Sequence, residues 1–169
     1  MPPNANQLTA TQYAELTLAG ERLVLRGDHS VFWPGEATLF VADTHFGKSG
    51  VFRRQGLNVP TGTTEADLAR LENALAETGA TRLVVLGDFV HAPPAADAPW
   101  LARFAAWRAR HAAIEIIVTR GNHDRVKRLP VDVDIDWQPG ARLMGPFICQ
   151  HEPGGGLACS EARLPNLCV

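Results

Sequence analysis

Cysteine is scarce in this chain, with three among 169 residues, at Cys149, Cys159 and Cys168. The number is odd and no pair has the CxxC spacing, which argues against both a disulfide scaffold and a thiolate zinc site. No apolar run approaches the ~20 residues that a membrane helix needs. The first residues also lack the basic and then apolar layout of a secretory signal, so we expect a cytoplasmic location.

Neither sign of charge is in large excess, because 16 Lys and Arg face 18 Asp and Glu for a net charge of −2. A partner recognised through bulk positive charge is therefore not expected, whereas a local basic patch stays open. The apolar fraction of 46% is sufficient for a core and excludes a disordered tail. The length is that of one domain, so we predict a single unit over residues 1–169, with a loose leader over residues 1–15.

Strand patterns alternate with helix patterns, which predicts an α/β fold. Continuous apolar runs at residues 38–42, 82–87 and 114–118 are typical of strands buried on both faces. Further strands are expected at residues 22–25, 30–33, 131–135 and 143–149.

Two helices are predicted between the buried strands. The first has a capping-box-like start at residues 64–67 and ends at Gly79. The second has Asp97 as its cap and Pro99 in its first turn. Residues 43–62 are predicted to be a polar loop.

Clusters of side chains that can bind metals follow the apolar strands. They are Asp43-Thr44-His45, Gly87-Asp88-Phe89-Val90-His91, Gly121-Asn122-His123-Asp124 and His151-Glu152. Ligands of open α/β sheets lie beyond the carboxyl ends of the strands, so we expect the clusters to converge. Carboxylate, imidazole and amide donors without cysteine favour manganese, iron or zinc. Two such ions can hold a bridging hydroxide and clamp a phosphoryl group.

Each cluster taken alone has a simpler interpretation. Asp-x-His and Gly-Asp after a strand are also typical of turns, and His151 alone is typical of an ordinary hydrogen-bonded histidine. The presence of all four clusters in this order favours a functional site.

These motifs resemble those of the calcineurin-like metallophosphoesterases. Around them, the chain is similar to the bacterial ligase-associated DNA-damage-response endonucleases of the PdeM type. That similarity lies in Trp33-Pro34, residues 39–48 and 52–56, Val59-Pro60 and His151-Glu152-Pro153.

The resemblance implies a four-layer αββα sandwich with two mixed sheets and a centre of two divalent ions, with manganese preferred over iron or zinc. It implies that one ion is bound by Asp43, His45 and Asp88, and that Asp88 bridges to a second ion bound by Asn122 and His151. His123 would protonate the leaving oxygen and Asp124 would orient it. The roles of His91 and Glu152 are left open, with support of a ligand expected for His91.

The chain departs from the family pattern after His151. The family places a Gly-His-x-His segment near the end of its site, and residues 152–169 contain no histidine. Residues 154–169 form an atypical tail, and we expect either a frameshift or a truncation. On that expectation the present form binds metal weakly, has little activity and exposes apolar surface that favours aggregation or a homodimer.

Three functions remain open at this stage. The first is a DNA endonuclease or phosphodiesterase in repair, with a DNA ligase and a helicase as partners implied by the resemblance. Lys48, Arg53, Arg54 and Arg125 would then contact phosphates. The second is a small-molecule phosphomonoesterase or a cyclic-nucleotide phosphodiesterase on the same metal core. The third is an inactive remnant or a binding subunit.

Overall fold

A large mixed sheet forms the centre of the molecule, for which a computed structural model describes residues 12–58, 62–152 and 166–167. Its seven strands lie side by side in chain order. They are β1 (Tyr13–Leu18), β2 (Glu21–Arg26), β3 (Val31–Trp33), β4 (Thr38–Val41), β5 (Arg82–Leu86), β6 (Glu115–Thr119) and β7 (Asp136–Gln138). The strands from β1 to β4 pair antiparallel, and those from β4 to β7 pair parallel.

A smaller sheet and three helices complete the described part of the chain. The smaller sheet contains β8 (Arg142–Met144), β9 (Phe147–Cys149) and β10 (Asn166–Leu167), with β9 in the middle. The helices are α1 (Lys48–Arg54), α2 (Thr63–Thr78) and α3 (Pro99–Arg110), and a short 3₁₀ helix at Pro34–Glu36 joins β3 to β4.

The large sheet is apolar on both faces, and each face has its own core. Along β4, Leu39 and Val41 belong to the core shared with α2 and α3, whereas Phe40 belongs to the core shared with β8 and β9. This alternation follows from the period of two in a strand, and it explains why the central strands read as continuous apolar runs. Helices, large sheet and small sheet therefore form successive layers, and the predicted α/β sandwich class is confirmed.

Most predicted strands are confirmed within one residue at each end. β2, β3, β4, β5 and β6 match the strands expected from the apolar runs. The run at residues 143–149 forms two antiparallel strands, β8 and β9, instead of one. Gly145 has a φ of +53° between them, so the chain reverses there.

Three local predictions are wrong. Residues 13–15 of the expected leader belong to β1, and residues 1–11 lie outside the described range. The expected loop over residues 43–62 contains α1. Helix α2 begins at Thr63 after Gly62, without a side-chain cap, so the capping-box prediction fails. Helix α3 likewise has Ala98 as its N-cap instead of Asp97.

The alternating segment at residues 131–135 is not a strand, and the strand in this region is β7. Val131, Val133 and Ile135 nevertheless pack against the core of the helical face. Arg108, which is 6% exposed, donates from Nε to the carbonyl oxygen of Asp134 at 3.0 Å. A side chain thus satisfies this backbone oxygen, so an irregular segment shows the alternation of a strand.

None of the helices in the described ranges has the length and apolar character required to cross a bilayer.

Candidate metal centre

The polar clusters meet because β4, β5 and β6 are parallel neighbours whose carboxyl ends lie at one edge of the sheet. The loops after β4 and β5 continue the ladder beyond the strands. His45 and Phe46 donate from their backbone nitrogens to the carbonyl oxygens of Asp88 and Phe89, both at 2.8 Å. The backbone nitrogen of His91 donates to the carbonyl oxygen of Phe46 at 3.1 Å. These bonds hold the first two clusters in a fixed register.

Three residues of the site have a left-handed backbone. The φ angles of Asp43, His45 and Asp88 are +52°, +45° and +50°. Non-glycine residues seldom adopt this region, and such strain persists where the surrounding structure determines it. The strain coincides with the group of side chains that can hold a metal ion, since one ligand atom from each of these three lies within 4.8 Å of the others.

The carboxylate of Asp88 lies at the centre of the site and is 4% exposed. Its Oδ2 atom lies 3.8 Å from Nε2 of His45, 3.6 Å from Nε2 of His151 and 4.0 Å from Nε2 of His123. These separations exceed a hydrogen bond, yet they are below twice a metal–ligand bond of about 2.0–2.2 Å. A cation can therefore contact both members of such a pair.

His151 is oriented by the end of β5. Its Nδ1 lies 3.2 Å from the carbonyl oxygen of Leu86, so the proton on Nδ1 is donated there and Nε2 is left as the ligand atom. The approach is close because residue 87 is glycine. A Cβ atom on Gly87, which has a φ of +82°, would lie 2.3 Å from Cγ of His151. The Gly-Asp motif thus supplies both a carboxylate and the space for an imidazole.

His123 is held at both its backbone and its ring. The backbone nitrogen of His123 donates to Oδ1 of Asp88 at 3.0 Å. The ring Nδ1 lies 3.2 Å from the carbonyl oxygen of His91 and faces it as a donor. The remaining nitrogen, Nε2, is therefore the one directed at the site.

Asp124 has other partners than those the sequence predicted. It is 4% exposed, and its carboxylate accepts hydrogen bonds from the backbone nitrogens of Phe89, Val90 and Gly121 at 3.2, 2.9 and 3.0 Å. These bonds join the loop after β5 to the loop after β6. Sequence reasoning missed this function because an Asp beside a His has the same pattern whether it contacts a ring or a backbone.

Three imidazoles form a cluster beside Asp88. The ring centres of His45, His91 and His123 lie 5.2–5.5 Å apart. Burial lowers the pKa of His45, an effect that the positive charge of Lys48 increases and that Asp88 opposes. Burial and the neighbouring His123 and His45 also lower the pKa of His91. Both imidazoles therefore favour the neutral form that binds cations.

The donor set fits a divalent ion of the first transition series. It contains carboxylates and neutral imidazoles, and no thiolate is among the described residues that meet there. Nδ1 of His45 and Nδ1 of His91 are buried without a hydrogen-bond partner among the described residues. Unsatisfied buried nitrogens are rare, and they are common at sites that receive a ligand.

Asn122 and Glu152 lie at the rim. Nδ2 of Asn122 donates to Oε1 of Glu152 at 3.4 Å, which leaves the amide oxygen of Asn122 as its ligand atom. Both side chains are exposed.

The predicted cationic residues surround this centre at different distances. Nζ of Lys48 lies 5.9 Å from the ring centre of Phe52. Arg53 and Arg54 occupy the last turn of α1 and line a cavity beside it. Arg125 lines a groove of ≈470 Å³ together with His91 and His123.

Comparisons with known proteins agree with this arrangement. Residues 37–155 match the family model of the calcineurin-like phosphoesterases. Among solved structures, the chain is similar to the crystal structure of a Pseudomonas putida nuclease MPE, with a TM-score of 0.74 and 36% identity. The alignment covers 93% of this chain and 72% of that chain. No curated protein matches the sequence. The family match spans every residue that the site brings together.

Proposed function

Since this chain belongs to the calcineurin-like phosphoesterase family and is thus a metal-dependent phosphoesterase, we propose that it is a two-metal phosphodiesterase that cleaves DNA. The observation that carries the proposal is the position of Asp88, whose Oδ2 atom lies within 4.0 Å of three imidazole nitrogens. A buried carboxylate shared by several neutral donors suits a pair of cations better than it suits an ordinary hydrogen-bond network.

The ligands divide into two groups around Asp88. Asp43 and His45 would hold one ion, Asn122 and His151 would hold the second, and Asp88 would contact both. The ion preferred at these oxygen and nitrogen donors is manganese, with iron or zinc as alternatives. When bound, two such ions supply charge that stabilises the phosphoryl oxygens and acidify a water for attack.

The protein supplies the proton of the leaving group. Nδ1 of His123 faces the carbonyl oxygen of His91, so the ring is oriented with Nε2 toward the reacting phosphate. A proton held at Nε2 would pass to the leaving oxygen as the ester bond breaks. The carboxylate of Asp124 acts indirectly, because it fixes the loops that carry both His91 and His123.

Two observations support DNA as the substrate. A solved structure that is 36% identical to this chain is a nuclease. Lys48, Arg54 and Arg125 also lie around the site, where they would bind backbone phosphates. By resemblance, we place the reaction in DNA repair, with a DNA ligase and a helicase as partners.

The test compares substrates and metals in one series. Purified protein is stripped of metal, reloaded with manganese, zinc or iron, and assayed on DNA, on bis(4-nitrophenyl) phosphate and on 4-nitrophenyl phosphate. We expect about two ions per chain and turnover of both diesters. Faster turnover of the monoester would contradict the proposal and favour a phosphomonoesterase, and a chain that binds fewer ions and hydrolyses nothing would be the inactive remnant.

Asp88→Asn is the matched variant for this assay. It retains the size of the side chain but removes the charge that would face both ions, so we expect loss of metal and of diester hydrolysis. Asp132→Asn changes an exposed carboxylate outside the site and is the control. Full metal content in Asp88→Asn would show that the bridging assignment is wrong.

A further inference from the structure

A small cavity lies beside the metal centre, between the start of α2, helix α1 and helix α3. Its volume is ≈70 Å³, which is room for a few water molecules or one phosphate group. Arg53 and Arg54 line it from α1, and Arg103 lines it from α3. Glu65 is the one acidic residue among its lining, and it forms an ion pair with Arg103. The cavity is therefore cationic.

The cavity and the catalytic groove are neighbours with a rigid wall between them. Ala92 and Pro93 line both the cavity and the ≈470 Å³ groove that contains His123. Pro93 is two residues from His91, so their Cα atoms are at most about 7 Å apart. The ring of Pro93 also fixes its φ, which restricts movement of this wall.

The floor of the cavity is tied to the metal site as well. Trp100 lines the cavity and stacks on Phe46, with ring centres 5.9 Å apart and planes at 13°. Phe46 directly follows His45, and a Cβ atom on Gly47 would lie 2.7 Å from Nε1 of Trp100. The distance from the arginines to the metal ligands is thus determined by core packing.

A third depression continues the series on the other side. It has a volume of ≈170 Å³, is lined by His151, Glu152 and Arg120, and shares Asn122 with the catalytic groove. The three depressions therefore succeed one another across the face of the molecule, with the metal ligands in the middle.

We propose that these depressions form one track for a polynucleotide strand, and that the Arg53–Arg54–Arg103 cavity binds a backbone phosphate beyond the scissile one. The large groove has the size for the nucleoside between the two phosphates, whereas the cavity admits a phosphate alone. The proposal rests on the phosphodiesterase function, and it makes the substrate a chain bound on both sides of the cleaved bond. Arg103 is a binding residue that no sequence motif indicates.

The experiment measures binding without cleavage. A fluorescent single-stranded oligodeoxynucleotide is titrated in EDTA at several salt concentrations, with wild type, Arg54→Gln, Arg103→Gln and Arg103→Lys. Each Gln variant should weaken binding and reduce the log–log salt slope by about 0.7, the value for one phosphate contact on a single strand. Arg103→Lys should retain the slope because it retains the charge.

Arg70→Gln is the control, because Arg70 is an exposed arginine of α2 that pairs with Asp67 and lies outside the track. A dinucleotide, which is too short to reach the cavity, should bind all variants alike. Wild-type affinity and slope in both Gln variants would overturn the proposal, as would an equal loss for the dinucleotide. Hydrolysis of bis(4-nitrophenyl) phosphate by wild type is independent of the cavity, so its absence would refute the phosphodiesterase function and not the track.

Discussion

Asp124→Asn separates two accounts of the residue that follows His123. Oδ2 of Asp124 accepts from the backbone nitrogens of Phe89 and Gly121, and Oδ1 accepts from that of Val90. In the best orientation of an asparagine, its oxygen keeps the first two bonds and its NH₂ group faces the Val90 nitrogen. One buried donor is then unsatisfied, and two bonds lose the assistance of a charge.

The magnitude follows from these bonds. A hydrogen bond to a charged group contributes about 1.5–3 kcal/mol, and an unsatisfied buried donor costs about 1–3 kcal/mol. We expect the free energy of unfolding to fall by about 2–4 kcal/mol, since part of each bond remains. For a chain of this size each kcal/mol lowers Tm by about 2–4 °C, so Tm should fall by about 4–16 °C. Metal affinity should fall too, because the joined loops carry Asp88 and His123.

Thermal unfolding and a metal titration on the same preparations test this prediction. Asp132→Asn is the control, because it makes the same chemical change at an exposed position. If Asp124 acted only by orienting the ring of His123, Asp124→Asn would retain wild-type Tm and metal affinity and would lose rate alone. That result would refute the structural argument.

Three further changes have distinct expected outcomes. His123→Ala should retain metal and lose ~10²–10⁴-fold in rate on DNA, with a smaller loss on bis(4-nitrophenyl) phosphate, whose leaving group needs little protonation. Gly87→Ala should displace His151, because its Cβ would lie 2.3 Å from the ring, and calorimetry should detect weaker metal binding. Burial opposes ionisation of Asp28, but hydrogen bonds from Arg26 outweigh it and hold its pKa below the usual 3.8. Its stabilisation is therefore present at neutral pH and lost as the pH falls below that value, so Asp28→Asn should lower Tm at neutral pH and progressively less in acid.

Each of these changes has a control or a contrary result. Gly140→Ala introduces a Cβ with nothing within 4 Å and should leave metal binding unchanged. Equal losses on both substrates would argue against His123 as the acid. A constant difference in Tm between wild type and Asp28→Asn at all pH values would exclude a contribution from the charge of Asp28.

The sequence predicts the site well because its signals are local. A buried strand that ends in Asp43 or Asp88 can be recognised from a few residues, and parallel pairing then brings the ends together. The same reasoning cannot identify the partners of Asp124, because its hydrogen bonds reach Phe89 and Val90, more than thirty positions earlier in the chain. Contacts between distant segments depend on the register of the loops, which composition does not encode.

Helix α1 and the segment at residues 131–135 were mispredicted for opposite reasons. No residue of α1 is buried, so the helix lacks the apolar periodicity that identifies α2. Residues 131–135 have the alternation of a strand because their apolar side chains reach the core, but Arg108 takes a backbone oxygen that a ladder would need. Arg103 was missed because helix α3 carries no metal motif.

The left-handed backbone at Asp43, His45 and Asp88 also affects how metal binding is driven. The ladder beyond β4 and β5 orders these residues as the chain folds, so the entropic cost of fixing them does not arise when an ion binds. Association should therefore reorganise the protein little, and its free energy should derive mainly from exchanging the water of the ion for fixed donors. A copy of the same side chains on relaxed loops of another scaffold would lack this advantage, so transfer of the site requires transfer of its backbone.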